Sequence, residues 1–332
     1  MRKAVLLLIL ITFCVAKLPG YNVDITETSV SGLSAGAFMA AQFQVAFSST
    51  IKSSTIVAGG PPNCAEGNLS TALTNCMNIP TGINVNTLVT KSKNQSTTKA
   101  IDPVSNLQGK NIFLYSGSKD TVVKQGVVKA AQKFFELLGA NVSTKYDIAS
   151  EHSYVTPNNG KACSFLGTPY INHCDYDTAR VSLETAYGTI NDAVPAVSAN
   201  LIKFSQDSYV SSGMSMNSNG YVYVPTSCKN GAQCRIHVSF HGCQQTLEDV
   251  GTQYVTLTGL NEYAESNNII VLYPQAKKSQ LMPSNPNGCF DWWGYTDTLP
   301  TSLKYATKEG KQMKAIYTMI TDLASGSKAE EI

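Results

Sequence analysis

Thr28-Ser29-Val30-Ser31-Gly32-Leu33-Ser34-Ala35-Gly36-Ala37-Phe38-Met39-Ala40 is the stretch on which the reading of this chain turns. At its centre stands Gly-x-Ser-x-Gly, with Gly32 and Gly36 on either side of Ser34. Upstream, Ile25 to Val30 reads as a strand; downstream, Ala37 to Phe47 reads as an apolar helix. A serine on a sharp strand-to-helix turn presents its hydroxyl clear of the backbone, and flanking glycines let neighbouring chain come close. The amides that open the helix then point toward negative charge developing beside that hydroxyl. Gly and Ser also make ordinary turns. The strand before this one and the helix after it favour a nucleophile.

Little chain precedes the turn. Arg2 and Lys3, an apolar run from Ala4 to Val15, and the small-residue end Cys14-Val15-Ala16 have the layout of a secretory leader. About 13 apolar residues fall short of the roughly 20 that span a bilayer, which argues against an anchor. Residues 1–16 are therefore expected to be a signal peptide. Residues 17–332 would form one domain, bound for the cell exterior or a digestive, lysosome-like vacuole. Of the nine cysteines, Cys14 falls in the leader. The others, Cys64, Cys76, Cys163, Cys174, Cys228, Cys234, Cys243 and Cys289, form an even set behind a leader and are expected as disulfides. Short separations suggest Cys64–Cys76, Cys163–Cys174 and Cys228–Cys234, leaving Cys243 with Cys289. No cysteine or histidine grouping has zinc-ligand spacing, so no metal is expected. Sequons at Asn68, Asn94 and Asn141 suit a glycosylated surface. A net charge of +2 gives no reason to expect a nucleic-acid partner, and 43% hydrophobic residues supply a sizeable core.

Further along, β-rich runs alternate with helical patterns. Strands are expected at Ser54 to Ala58, Asn111 to Tyr115, Thr144 to Ile148, Tyr221 to Val224, Arg235 to Phe240 and Ile269 to Tyr273. Helices are expected near Val123 to Leu138 and Lys308 to Leu323. Such alternation builds a mostly parallel sheet covered on both faces, with its active site at the carboxyl ends of the strands. A serine hydroxyl needs a base, a group that orients the base, and donors for the oxyanion. Four histidines are available. His152, in Ser150-Glu151-His152-Ser153 just after a strand, is the candidate base. His173, beside a cysteine, looks structural; His237, inside an apolar strand, reads as a satisfied core residue; His241 belongs to another motif. The acid should follow a strand and precede the histidine. Asp120, in Tyr115-Ser116-Gly117-Ser118-Lys119-Asp120, fits better than Asp102 before a proline or Asp147 within a strand. Asp120 also fits a cap for the helix from Val123.

The oxyanion donor is out of place. In an α/β-hydrolase the His-Gly loop that supplies one backbone N–H comes before the nucleophile, and residues 17–33 leave no room for it. A matching segment stands far downstream: Ile236-His237-Val238-Ser239-Phe240-His241-Gly242-Cys243-Gln244-Gln245. The front of the fold has moved to the back, so a circularly permuted α/β-hydrolase is expected. With these motifs, Asn285-Pro286-Asn287-Gly288-Cys289-Phe290-Asp291-Trp292-Trp293-Gly294-Tyr295 and Pro169-Tyr170-Ile171-Asn172, the chain resembles the extracellular polyhydroxybutyrate depolymerases of single-domain, circularly permuted type. The likeness spans essentially the whole mature chain.

The resemblance implies Ser34, Asp120 and His152 as a triad and the N–H groups of Ala35 and Cys243 as an oxyanion hole. It implies a serine carboxylic ester hydrolase that cleaves short-chain polyhydroxyalkanoates such as poly(3-hydroxybutyrate), without a cofactor. Trp292 and Trp293, the only two tryptophans, are expected to wall the site against the polyester, the alternative being a core role. A monomer is expected, meeting a polyester or small ester, with no stable membrane insertion. Two other readings use the same residues: a secreted feruloyl or acetyl-xylan esterase, and a secreted binding protein on an inactive hydrolase scaffold.

Overall fold

β-Branched and aromatic residues crowd into short runs, and in the computed structural model, which describes residues 17–297 and 303–327, most of these runs become strands of one sheet. The expected leader, residues 1–16, lies outside the described residues. The chain lays down β1 (Thr28–Leu33), β2 (Ile51–Val57), β3 (Asn111–Tyr115) and β4 (Asn141–Lys145). A small three-stranded sheet follows, made of β5 (Tyr154–Thr156), β6 (Lys161–Ala162) and β7 (Ile171–His173). The main sheet is completed by β8 (Leu201–Ser205), β9 (Asn219–Tyr223), β10 (Arg235–Phe240) and β11 (Ile269–Tyr273).

Across the eight-stranded sheet the order is β4-β3-β2-β1-β10-β11-β9-β8. Neighbours from β4 to β11 pair parallel, and β9 pairs antiparallel with both β11 and β8. If the count is started at β8 and carried round through β1, the strands read across the sheet as 1-2-4-3-5-6-7-8. The Ser34 turn then follows the fifth strand. The His-Gly loop follows the third, where an α/β-hydrolase keeps its oxyanion donor. The segments flanking the permutation point lie side by side: the Tyr21 N–H donates to Leu323 O at 2.8 Å. The sheet is that of a permuted α/β-hydrolase.

Helices α1 (Ala35–Ala46), α3 (Val85–Thr97), α4 (Gln125–Leu137) and α10 (Lys311–Leu323) cover one face, and α5 (Thr178–Tyr187) and α9 (Leu260–Asn267) the other. Shorter helices are α2 (Leu69–Leu73), α6 (Thr226–Lys229), α7 (Leu247–Val250) and α8 (Gln253–Leu257). Successive strand side chains point to opposite faces. Ile270 and Leu272 of β11 therefore join the core under α1 and α10, while Ile269, Val271 and Tyr273 join the core under α5 and α9. Both faces are apolar, so the strand reads as one continuous hydrophobic run. Each such side chain contributes about 1.5–3 kcal/mol by leaving water.

Four strand expectations shift: those at Ser54 to Ala58 and Tyr221 to Val224 become Ile51–Val57 and Asn219–Tyr223, and two more move for visible reasons. The Ile25–Glu27 segment is a 3-10 turn, held by the Asp24 carboxylate accepting the Thr26 N–H at 2.9 Å, so β1 begins at Thr28. The strand expected at Thr144 to Ile148 is Asn141–Lys145, because the chain from Tyr146 turns toward the loop that bears Asp120. The sequence pattern does not announce β8, the small sheet, α3, α5 or α9.

Candidate active site

Ser34 joins β1 to α1 with φ 57° and ψ −121°, a backbone conformation that residues with a side chain rarely adopt. Its N–H is tied to Val57 O at 2.9 Å. A side chain on Gly32 would run into Gly36 O, and one on Gly36 into Phe240 O. The two glycines of the motif are thus what allow β1, α1 and β10 to close around the turn. Ala35 opens α1, so its N–H has no acceptor within the helix.

The second element comes from the loops after β3 and β4. Asp120 Oδ2 accepts the Nδ1–H of His152 at 2.8 Å. Asp120 Oδ1 accepts the N–H of Val122 at 2.9 Å and of Val123 at 2.8 Å. One carboxylate therefore holds an imidazole and braces its own turn, while α4 begins only at Gln125. The side chains of His152 and Asp120 are 5% and 1% exposed. A carboxylate only accepts, so Nδ1 carries the proton and Nε2 is left as an acceptor. His152 and Ser34 line one cleft of about 340 Å³, together with Tyr170, Cys243, Trp292 and Trp293.

The third element is the loop after β10. His241 Nδ1–H donates to Gly242 O at 2.7 Å, and its Nε2 accepts the Ala276 N–H at 3.1 Å. Both ring nitrogens are satisfied only when the ring is neutral, and burial pushes its pKa down to about 4. The Gly242 N–H is taken by Gln245 Oε1 at 2.6 Å, and Gln245 Nε2 donates to Pro169 O at 2.6 Å. The next amide in the chain is that of Cys243, a residue that lines the cleft. Tyr170 packs edge-on against His152, ring centroids 6.1 Å apart, and its hydroxyl donates to Gln244 Oε1 at 3.0 Å.

The disulfides are Cys64–Cys76, Cys163–Cys174, Cys228–Cys234 and Cys243–Cys289. The last ties the loop after β10 to the aromatic segment. There Trp292 is buried and stacks on Phe38 with ring centroids 4.3 Å apart, while half-buried Trp293 meets Trp292 edge-on at 5.6 Å. Trp292 is both a core anchor and a wall of the cleft. The remaining histidines lie elsewhere: His237 is buried between Ser29 and Ser31, and exposed His173 meets Asp175 at 3.1 Å. Among the described residues, no group of three or more His, Cys, Asp or Glu is placed to hold a metal ion. No helix there is long and apolar enough to cross a membrane.

No protein-family model matches the chain. A polyhydroxybutyrate depolymerase of Talaromyces funiculosus is 36% identical over 327 residues, covering 93% of each chain. The chain belongs to the polyhydroxybutyrate depolymerase family. A poly(3-hydroxybutyrate) depolymerase of Delftia acidovorans is 43% identical over 317 residues; the match covers 93% of this chain but spans only 62% of that relative's length. Among solved structures, a PHB depolymerase with a serine-to-alanine substitution, complexed with an R3HB trimer, superposes with a TM-score of 0.84 at 33% identity. It is covered over 99% of its length and matches 94% of this chain. The PHB depolymerase from Penicillium funiculosum superposes with a TM-score of 0.83, also at 33% identity and with the same coverage.

In this member of the family, four residues shape the site without standing out in the sequence. Tyr170 and Gln245 lie inside quoted motifs, but their partners are in loops remote along the chain. Glu151 stands next to the candidate base, and its side chain reaches across to Thr121. Asp291 is fully buried, and its carboxylate accepts the N–H groups of Gly294, Tyr295 and Thr296 and the Thr296 hydroxyl. Burial raises its pKa.

Proposed function

We propose that the protein is a secreted serine esterase that hydrolyses ester bonds of poly(3-hydroxybutyrate) and related short-chain polyhydroxyalkanoates. His152 Nε2 takes the Ser34 proton as the hydroxyl oxygen attacks the ester carbonyl. Asp120, bonded to Nδ1, orients the ring and offsets the imidazolium charge. The N–H groups of Ala35 and Cys243 receive the oxyanion; losing one such donor typically costs about 10²–10³ in rate. The hydroxyl end of the polymer leaves with the proton from His152. Water, deprotonated by the same imidazole, then releases the acid and restores Ser34. Trp292 and Trp293 give the cleft an aromatic wall for the polyester chain. Four disulfides suit an oxidising compartment.

The observation that carries this reading is the buried Asp120–His152 bond beside the cleft that Ser34 also lines. The R3HB trimer held by a relative of the same fold supports the substrate class. Wild-type protein is expected to clear poly(3-hydroxybutyrate) suspensions, releasing monomer and short oligomers, and to turn over feruloyl and acetylated-sugar esters poorly. Ser34→Ala is expected to abolish clearing and labelling by a fluorophosphonate probe. Clearing by folded Ser34→Ala at the wild-type rate would remove the nucleophile and the reading with it.

A further inference from the structure

We infer that Glu151 is a positioning residue: its carboxylate clamps the loop bearing Asp120 to the loop bearing His152 and so sets the alignment of the acid–base pair. The inference rests on the roles proposed above for that pair. Glu151 Oε2 accepts three hydrogen bonds, from the Thr121 N–H at 3.1 Å, the Thr121 hydroxyl at 3.0 Å and the His152 N–H at 3.1 Å. Thr121 directly follows Asp120, and Glu151 directly precedes His152. The clamp therefore closes one residue away from each partner of the 2.8 Å Asp120–His152 bond. Hydrogen bonds to an ionised carboxylate are stronger than those between neutral groups.

The main chain of Glu151 is itself anchored. Its N–H donates to Cys163 O at 3.1 Å, and its carbonyl accepts the Ser153 hydroxyl at 3.0 Å. Cys163 is bridged to Cys174, so the anchor belongs to a cross-linked segment. Lower in the loops, the ties run from the Ser118 N–H to Ile148 O at 2.8 Å and from the Lys119 N–H to Ser150 O at 3.2 Å. Those bonds hold the base of the two loops, and Glu151 closes the tip. The residue is half-buried and outside the hydrophobic clusters. Its loss therefore weakens alignment more than packing.

The test measures kcat and KM on a soluble short-chain ester, with thermal melting, for Glu151→Ala, Glu151→Gln and Thr121→Val. Glu151→Ala is expected to lower kcat about ten- to a hundredfold, the scale of a small misplacement of reacting groups. KM should change less than about threefold, because the ester's own contacts are untouched. Glu151→Gln keeps an oxygen that accepts from Thr121 and His152, so kcat should recover to within about threefold of wild type. Thr121→Val removes one of the three donors and should give a smaller drop in the same direction.

Ser34→Ala and His152→Ala are measured alongside. Activity surviving in either defeats the catalytic reading whatever Glu151 does. With both inactive, wild-type kcat in Glu151→Ala overturns the clamp. So does a loss confined to KM or melting temperature, or a Glu151→Gln as impaired as the alanine variant. If Glu151→Ala does not fold, Thr121→Val decides: its kcat is expected below those of wild type and Glu151→Gln, and a value equal to or above theirs overturns the clamp.

Discussion

The two walls of the cleft are held together by different means. On the wall that carries Asp120 and His152, the loops after β3 and β4 are joined by hydrogen bonds, among them Tyr115 hydroxyl to Ser150 hydroxyl at 2.7 Å and the Glu151 contacts. On the opposite wall, the loop after β10 is bridged to the aromatic segment by Cys243–Cys289, and the segment wraps around the buried Asp291. Donors for an oxyanion act best when fixed before the charge appears, since nothing then has to reorganise during the reaction. A base must take up and release a proton, and polar contacts to its loop can respond to that change. With the roles proposed above, a disulfide lies directly in the loop that would receive charge, while the loops where the proton would move meet through hydrogen bonds, with the Cys163–Cys174 bridge one step behind them.

The contrast is broken most severely at Asp120. Asp120→Asn presents an amide where the Nδ1–H now finds a carboxylate, which favours the wrong tautomer of His152. A fall in kcat of about 10⁴ is expected, as for a comparable change in another serine hydrolase. Steady-state kinetics on a soluble ester checks it, and a loss below tenfold would show that the carboxylate is a brace only. On the other wall, Cys289→Ser should cost up to about 10² in kcat, less than removing an oxyanion donor outright. Undiminished activity in folded Cys289→Ser would detach the bridge from catalysis. Smaller again is Trp293→Ala. This half-buried ring lines the cleft, so a rise in KM of about tenfold is expected, worth about 1.4 kcal/mol, with little change in melting temperature. A large fall in melting temperature with unchanged KM would make Trp293 a core residue instead.

Much of this contrast is legible in the sequence, but unevenly. Strands β3, β10 and β11 match their expected runs end for end, because each is buried on both faces. Strand β8 is partly exposed at the sheet edge, and β5 to β7 have two or three residues each, so neither gives a periodic signal. The motifs single out Ser34, His152, Cys243, Trp292 and Trp293, all of which line the cleft, and Asp120, which lies behind His152. Scarcity did much of this: four histidines leave few choices. Glu151, Gln245 and Asp291 escape because they mainly bind backbone amides and carbonyls, and a main-chain partner leaves no mark on residue identity. The double use of Asp120 is hidden for the same reason, since Val122 and Val123 donate only through their N–H groups.

A final comparison sets His152 against His237, which lies within β10 beside the nucleophile strand. Each ring of the pair is buried, but His237 has Ser29 Oγ at 2.7 Å from Nδ1 and Ser31 Oγ at 2.7 Å from Nε2, with no carboxylate beside it. Burial without a counter-charge pushes its pKa down to about 3, whereas an unfolded chain protonates histidine near 6.5. Between those values the unfolded state binds a proton that the folded state refuses, so stability falls as pH drops below about 6.5. His241, at about 4, acts in the same direction, while Asp291, raised by burial, acts in the opposite sense over the carboxylate range. The slope from His237 is at most about 1.4 kcal/mol per pH unit, or very roughly 2 °C per kcal/mol in a chain of this size. His237→Gln keeps a donor and an acceptor but does not titrate. Its melting temperature is therefore expected to be lower than wild type at pH 7 and to fall less between pH 7 and 4.5. Melting curves with equal slopes for the two proteins would show that this imidazole contributes nothing to acid sensitivity.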